Sequence, residues 1–302
     1  MLIANPIYDS VFKYLLEDLD ISKGILSALL NENIIELSVK PQESISEASV
    51  NSQAFTIYRL DFKAVIQLEN GEFKKILIEL QKSKRNTDIM RFRRYLAENY
   101  QKEDAVTVNN SQITKPLEIV TVYFLGFKLE KILIPILKVS NSFYDVSKQE
   151  FLKDKPKEPF VDLLNHESYT IQIPRLPENH QTDLENILSV FNQRFSYDDR
   201  QQLDYRGISN TPLTERIINR LNRAIADDNL RMKMNLEDEI DRTFNREFAQ
   251  MNDELAELTD ILIETKEQLD ETKERLDETK GKLIDKDKEI EELKKLLEQL
   301  KK

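Results

Sequence analysis

Cysteine is absent from the 302 residues, which excludes a disulfide framework, thiolate zinc sites, iron–sulfur clusters and a cysteine nucleophile. Glycine is scarce, with 5 residues, so the glycine-rich phosphate loops of dinucleotide and P-loop folds cannot be built. With only two histidines, His166 and His180, a histidine-rich metal site is excluded too. No apolar run approaches the roughly 18 residues that suggest a membrane span. The opening MLIANPIYDS lacks the basic region and apolar core of a secretory leader. These absences predict a soluble, cytoplasmic protein with no membrane partner. Its length allows one sizeable core plus something else, or two modest domains.

Charge is plentiful but unevenly placed. The chain carries 55 acidic and 44 basic residues, a net of −11. From Glu237 to Lys302 there are 22 acidic and 13 basic residues, a net of −9, which leaves −2 for residues 1–236. The acidity therefore belongs mostly to the tail and says little about the partner of the rest. Between Lys82 and Arg94 the balance reverses: Lys82, Lys84, Arg85, Arg91, Arg93 and Arg94 oppose only Asp88, a local net of +5. Such a run is either a phosphate-contacting patch or a solvated helix face.

Hydrophobic spacing divides the chain into three parts. Residues 8–31 read as helical, with Val11, Phe12, Leu15 and Leu16 followed by Ile25, Leu26, Leu29 and Leu30, and a break around Asp18–Asp20. A short β-like alternation covers 34–47, then a polar loop. Residues 55–81 hold two apolar-rich runs around Glu69-Asn70-Gly71, a hairpin signal. A helix over 86–101 and a buried strand over 116–125 follow, with an apolar stretch at 131–139. The order of helix, three strands, helix and strand predicts an α/β domain over 1–140. Residues 141–236 read as a helical extension: a proline-punctuated stretch, then amphipathic helices through Leu184, Ile187, Leu188, Phe191 and Phe195, and through Leu213, Ile217, Leu221 and Ile225.

Residues 237–302 carry a heptad pattern. Leu255, Leu262, Leu269, Leu276, Leu283, Ile290 and Leu297 define position a; position d holds Leu258, Thr265, Thr272, Thr279, Lys286, Leu293 and Leu300. The middle of this seam is weak, and the near-repeats ETKEQLD, ETKERLD and ETKGKLI specify register poorly. In a parallel dimer Arg275 would face Lys280, which repels, and Glu289 would face Lys294, which attracts. A homodimeric coiled coil through residues 248–300 is expected; the other reading is a solitary charged helix supported by i,i+4 pairs.

The hairpin is where chemistry is expected. Asp61 stands on its first strand, Glu79 and Gln81 on its second. Two adjacent carboxylates suit a hard divalent cation such as Mg²⁺, with Mn²⁺ as a substitute. Convergence depends on the loop. A two-residue Asn70-Gly71 turn gives pair numbers summing to 141, which puts Glu79 opposite Phe62 and turns Asp61 to the other face. A three-residue Glu69-Asn70-Gly71 loop gives 140 and sets Asp61 across from Glu79, with Cβ atoms about 5 Å apart. Gln81 then shares that face. The other reading of Asp61 and Glu79 is the polar face of an amphipathic hairpin.

Asn5-Pro6 with Asp9, Phe12 and Lys13, then Leu60-Asp61, Ile78-Glu79-Leu80-Gln81, and Arg91 with Tyr95 together resemble the PD-(D/E)XK nuclease superfamily. The likeness is to its transposase-like, recombination-promoting branch, and it covers about residues 1–140. The resemblance implies an αβββαβ restriction-endonuclease-like core and Mg²⁺-dependent cleavage of double-stranded DNA with little sequence readout. It implies roles in recombination or mobile-element biology. Asp61 and Glu79 would be metal ligands, joined from the opening helix by Asp9, the better match to the family pattern, or by Glu17, and Gln81 would stand for the lysine that orients or activates the attacking water. Lys82, Lys84, Arg85, Arg91, Arg93 and Arg94 would hold neighbouring phosphates. Two departures stand out: Gln81 is neutral where the family has lysine, and Arg94 precedes Tyr95 where the family usually has adjacent aromatics. Lys63 would share the Asp61–Glu79 face in the 140 register and supply the missing charge, whereas Lys82 points to the other face by strand alternation unless the strand has ended. The alternative is a catalytically inactive nuclease-fold module that binds DNA or scaffolds through its coiled coil. His166, beside Glu167, reads as a surface residue.

Overall fold

A computed structural model gives the fold. It describes residues 1–40, 49–50, 53–54, 60–67, 73–83, 89–101, 103–108, 111–153, 156–179, 181–197, 200–207 and 211–300; the side chains of Asp61, Lys63, Glu79, Gln81, Lys82, Arg91 and Tyr95 lie outside that description. In chain order the first elements are β1 (Leu2–Ala4), α1 (Asp9–Leu16), α2 (Leu19–Leu30), β2 (Asn33–Lys40), β3 (Ser49–Val50), β4 (Gln53–Ala54), β5 (Leu60–Gln67), β6 (Phe73–Ser83) and α3 (Ile89–Tyr100). Then come β7 (Asp104–Val108), β8 (Ser111–Lys115), β9 (Glu118–Leu125), β10 (Ile136–Val139), β11 (Tyr144–Asp145), β12 (Glu150–Phe151), α4 (Pro159–Leu164) and β13 (Glu167–Gln172). The chain ends in α5 (Asp183–Leu188), β14 (Gln202–Asp204), α6 (Pro212–Ala224) and the long α7 (Asp228–Leu300).

The chain is mixed α/β and divides into two compact units, Met1–Glu237 and Asp238–Lys302. The first is built on a six-stranded sheet of order β10-β13-β9-β6-β5-β2. β2, β5 and β6 form an antiparallel meander, and the path through α3 returns β9 parallel to β6. β13 then joins parallel to β9, with β10 antiparallel on its outer side. The segment 141–236, expected as a helical extension, thus supplies an interior strand of the sheet. Helix formation also stops short after α5: Ser189–Phe191 and Gln193–Phe195 are 3₁₀ turns. There the Asn192 side chain accepts from the Arg194 N–H at 3.1 Å, an Asx turn that competes with the helix. A hairpin of β7 and β8, not anticipated from the sequence, precedes β9.

Strand alternation explains the layers. Phe62, Ala64 and Ile66 of β5, Val122 and Phe124 of β9 and Ile171 of β13 are buried with the apolar faces of α1, α2, α5 and α6. Phe12, Phe124 and Phe191 meet with ring centroids 5.0 to 6.0 Å apart, tying α1, the sheet and the turn after α5 into one core. The opposite face carries α3, whose Phe92 stacks on Tyr123 of β9 at 5.1 Å.

Polar groups fix the corners. Asp18 breaks the helical run at 17–18 by capping α2, accepting from Asp20 and Ile21 N–H at 3.1 and 3.3 Å. The same carboxylate takes Arg216 of α6 in a two-pronged pair, Nη2–Oδ1 2.9 Å and Nε–Oδ2 3.1 Å. α6 can approach α2 because Gly24 has no side chain: a Cβ there would lie 2.6 Å from Leu213 methyl carbons. Gln172, fully buried, accepts from Leu129 N–H at 2.7 Å and donates to the carbonyls of Ile132 and Ile134 at 2.9 and 2.7 Å, pinning the β9–β10 connection.

The second unit, Asp238–Lys302, is helical from Asp238 to Leu300, and its apolar residues from Phe248 to Leu293 are exposed. Among the described residues no helix is long and apolar enough to cross a membrane.

Candidate functional site

β5 and β6 pair in the 140 register: Leu60 with Leu80, Asp61 with Glu79, Lys63 with Leu77. The parallel neighbour continues the row, since Glu79 pairs with Thr121 of β9, and Thr121 with Ser168 of β13. Asp61, Glu79, Thr121 and Ser168 therefore stand side by side across four strands, in a row of polar residues through the middle of the sheet. The adjacent rows on that face contain Lys63, Leu77 and Ile119 on one side, and Gln81, Tyr123 and Thr170 on the other. By the two-residue repeat, this is the face opposite Phe62, Val122 and Phe124, the one on which α3 lies.

The other expected site residues are not all brought to this face. Lys82 is the register partner of Phe124, so it belongs to the row on the α1 side. Arg91, Arg93 and Arg94 sit on α3, with Arg93 and Arg94 exposed and Phe92 buried against Tyr123 of the sheet. Lys84 and Arg85 lie outside the described residues. Asp9 opens α1, the helix whose Phe12 packs on Phe124, on the other side of the sheet from the carboxylate row.

The α1 N-terminus has a different occupant, which nothing in the sequence signalled. The Glu237 carboxylate accepts from the backbone N–H of Asp9 at 2.7 Å and of Ser10 at 2.9 Å, and from Ser10 Oγ at 2.7 Å. It caps the helix and complements its dipole from 228 positions away. Asn5 also has a structural task. Its amide exchanges two 2.9 Å hydrogen bonds with the Gln193 amide and donates to the Arg200 carbonyl at 2.8 Å. The opening motif is thus tied to the segment at 193–200.

Two polar side chains on the α3 side were missed by the sequence reading. Among the described residues, Thr121 is fully buried with no partner for Oγ1, and Asn99 of α3, 3% exposed, has no partner for either amide atom. Each such group costs about 1–3 kcal/mol when left unsatisfied. Thr121 hides in the apolar run PLEIVTVYFL, and only the parallel pairing with β6 shows that it adjoins Glu79. His166, expected at the surface, is half-buried: its Nδ1 meets the Tyr100 hydroxyl at 2.8 Å. Burial holds the His166 imidazole below its ordinary pKa and pushes the Tyr100 phenol up.

Among the described residues no group of three or more histidine or carboxylate side chains converges, so a metal reading rests on the Asp61–Glu79 pair. The residue types fit a hard cation: Asp61 and Glu79 hold paired positions on adjacent strands, and Thr121, whose hydroxyl has no partner among the described residues, holds the next position of the row. Neither known protein families, nor curated proteins, nor solved structures yield a match to this chain.

Proposed function

We propose that this chain is a divalent-metal-dependent DNA endonuclease of the PD-(D/E)XK type, in recombination or mobile-element biology. It would hydrolyse double-stranded DNA with little sequence readout. The observation that carries the reading is the pairing of Asp61 with Glu79 on adjacent antiparallel strands. The order of helices, three-strand meander, helix and parallel strand supports it as well. Asp61 and Glu79 would hold Mg²⁺, or Mn²⁺ in its place. The ion would supply a water of lowered pKa and polarise the scissile phosphate. Asp9 is left out of the ligand set because α1 lies on the other face of the sheet. Gln81, in the next row, would orient the attacking water by hydrogen bonding, and Lys63 would supply positive charge near it. Arg93 and Arg94, exposed on α3, would hold phosphates through interactions that weaken with salt. Pairing of two copies through residues 248–300 would bring two sites to one duplex.

A second reading is favoured by one residue. Gln81 is neutral where the resembling family carries lysine, as in a nuclease fold kept for DNA binding or scaffolding. Plasmid nicking separates the two. Metal-dependent cutting that EDTA stops, and that drops about 100-fold or more in Asp61→Ala, supports the endonuclease. Well-folded protein that binds DNA in a salt-sensitive way yet cuts in neither Mg²⁺ nor Mn²⁺ overturns it in favour of the second reading.

A further inference from the structure

The tail's apolar stripe is unpartnered in the single chain: Leu255, Leu262, Leu269, Leu276 and Leu283 are each more than half exposed. We propose that it docks on a second copy of this chain in parallel, in-register alignment, so that both copies of Met1–Glu237 are attached at the same end of the coiled coil. This rests on the homodimer in the function proposed above and adds its orientation.

Charge complementarity selects the partner and its direction. In a parallel pair each g residue meets the e residue five positions on in the other copy. Lys282 then faces Asp287 and Glu289 faces Lys294, both attractive, whereas Arg275 faces Lys280. The helix's own ion pairs sort these charges. Arg275 is paired with Glu271 at 3.7 Å and Lys280 with Asp277 at 3.7 Å, so both members of the repulsive contact have an acidic neighbour on their own helix. Lys282, Asp287, Glu289 and Lys294 make no ion pair with the described residues of their own chain, and they are the four that attract across a parallel seam. Full-overlap antiparallel alignment does the reverse. It sets Lys266 against Lys280, Lys273 against itself and Arg275 against itself, with no opposite-charge pair to offset them.

The weak d positions are less polar than their letters suggest. The hydroxyls of Thr265, Thr272 and Thr279 donate to the carbonyls of Ile261, Gln268 and Arg275, each at 2.7 Å. With the hydroxyl satisfied on its own helix, each threonine offers its methyl to a partner. Lys286 at d meets its own copy in a parallel pair, but the hole that receives it also includes Asp287 of the second copy, which takes the ammonium.

The absence of native cysteine makes the test clean. Full-length Leu255→Cys and Leu293→Cys are oxidised separately and as a mixture. Parallel alignment predicts a disulfide-linked dimer from each variant alone. Linkage only in the mixture, where an antiparallel pair sets 255 opposite 293, overturns the orientation and leaves the homodimer standing. Monomer in every tube overturns both. Neither result bears on whether DNA is cut, so failure here is distinct from failure of the nuclease. Arg275→Glu reads the same alignment without a crosslink. It turns the one repulsive g–e contact into an attractive one and tightens the parallel dimer about fivefold. In the antiparallel pair it only exchanges one like-charge contact for another, so unchanged affinity counts against the proposal.

Discussion

The two units use leucine in opposite ways. In Met1–Glu237 the apolar residues close on themselves: Phe62, Phe124, Ile171, Leu188 and Leu221 are buried to 1% exposure or less, in one core that spans sheet and helices. In Asp238–Lys302 the helical period is as regular, yet Leu262 stays 70% exposed and Leu276 52%. Both patterns announce helix or strand equally well to a reader of the sequence. What differs is whether the chain itself supplies the second surface. The first unit is stabilised from within, while the second depends on whatever covers its stripe.

The sharpest way to break that contrast is to remove one large side chain from each unit. Phe124→Ala should destabilise the first unit by about 3–5 kcal/mol, because the ring fills space among Phe12, Phe191 and the sheet. Leu276→Ala should leave that unfolding transition in place and change only the concentration dependence of tail helicity. Thermal unfolding followed by circular dichroism at two protein concentrations separates these outcomes. A tail mutation that lowers the first transition would mean that the two units are not independent.

How much of this was legible depends on how local the deciding contact is. The helix break at Asp18 was readable, because a capping aspartate acts on N–H groups two and three residues on. The hairpin sequence placed Asp61 and Glu79 within reach but left two registers, and the 140 pairing came only with the strands in place. β13 was not legible: prolines punctuate its surroundings, and it is fixed by parallel pairing with residues 120–125, far off in the chain. Thr121 and Glu237 were missed for the same reason, since the partner that gives each its meaning is remote. The β7–β8 hairpin is a different miss, as DAVTV and SQITK carry a short alternation that was there to be seen.

A smaller effect sharpens the contrast through ion pairs. Asp18 is 14% exposed, caps α2 and holds Arg216, so Asp18→Ala should cost about 2 kcal/mol. Lys273, whose partner Asp270 is as exposed as itself, should cost about 0.5 kcal/mol or less when replaced by alanine. Chemical denaturation of the first unit, with tail helicity measured alongside, gives both values. Equal costs would mean that burial is not what distinguishes the two pairs.

The smallest effect is a pH dependence confined to the first unit. Burial lowers the His166 pKa in the folded chain below the ordinary value of 6.5. As pH falls through the ordinary value, the unfolded chain takes up the proton first and is favoured. Stability should therefore decline from about pH 7 toward the lowered folded value, and flatten below it. Asp18 acts in a separate, more acidic window. Burial alone would raise its pKa, but the Ile21 N–H with Arg216 and Arg220 outweighs that and holds it below 3.8. Its contribution is present above the ordinary carboxylate pKa and lost as pH falls through the lowered one. His166→Gln should abolish the first decline and leave the second, because a glutamine at that position has no proton to gain. A decline near neutrality that persists in His166→Gln would move the titration to another group and leave the Tyr100–His166 contact without a part in it.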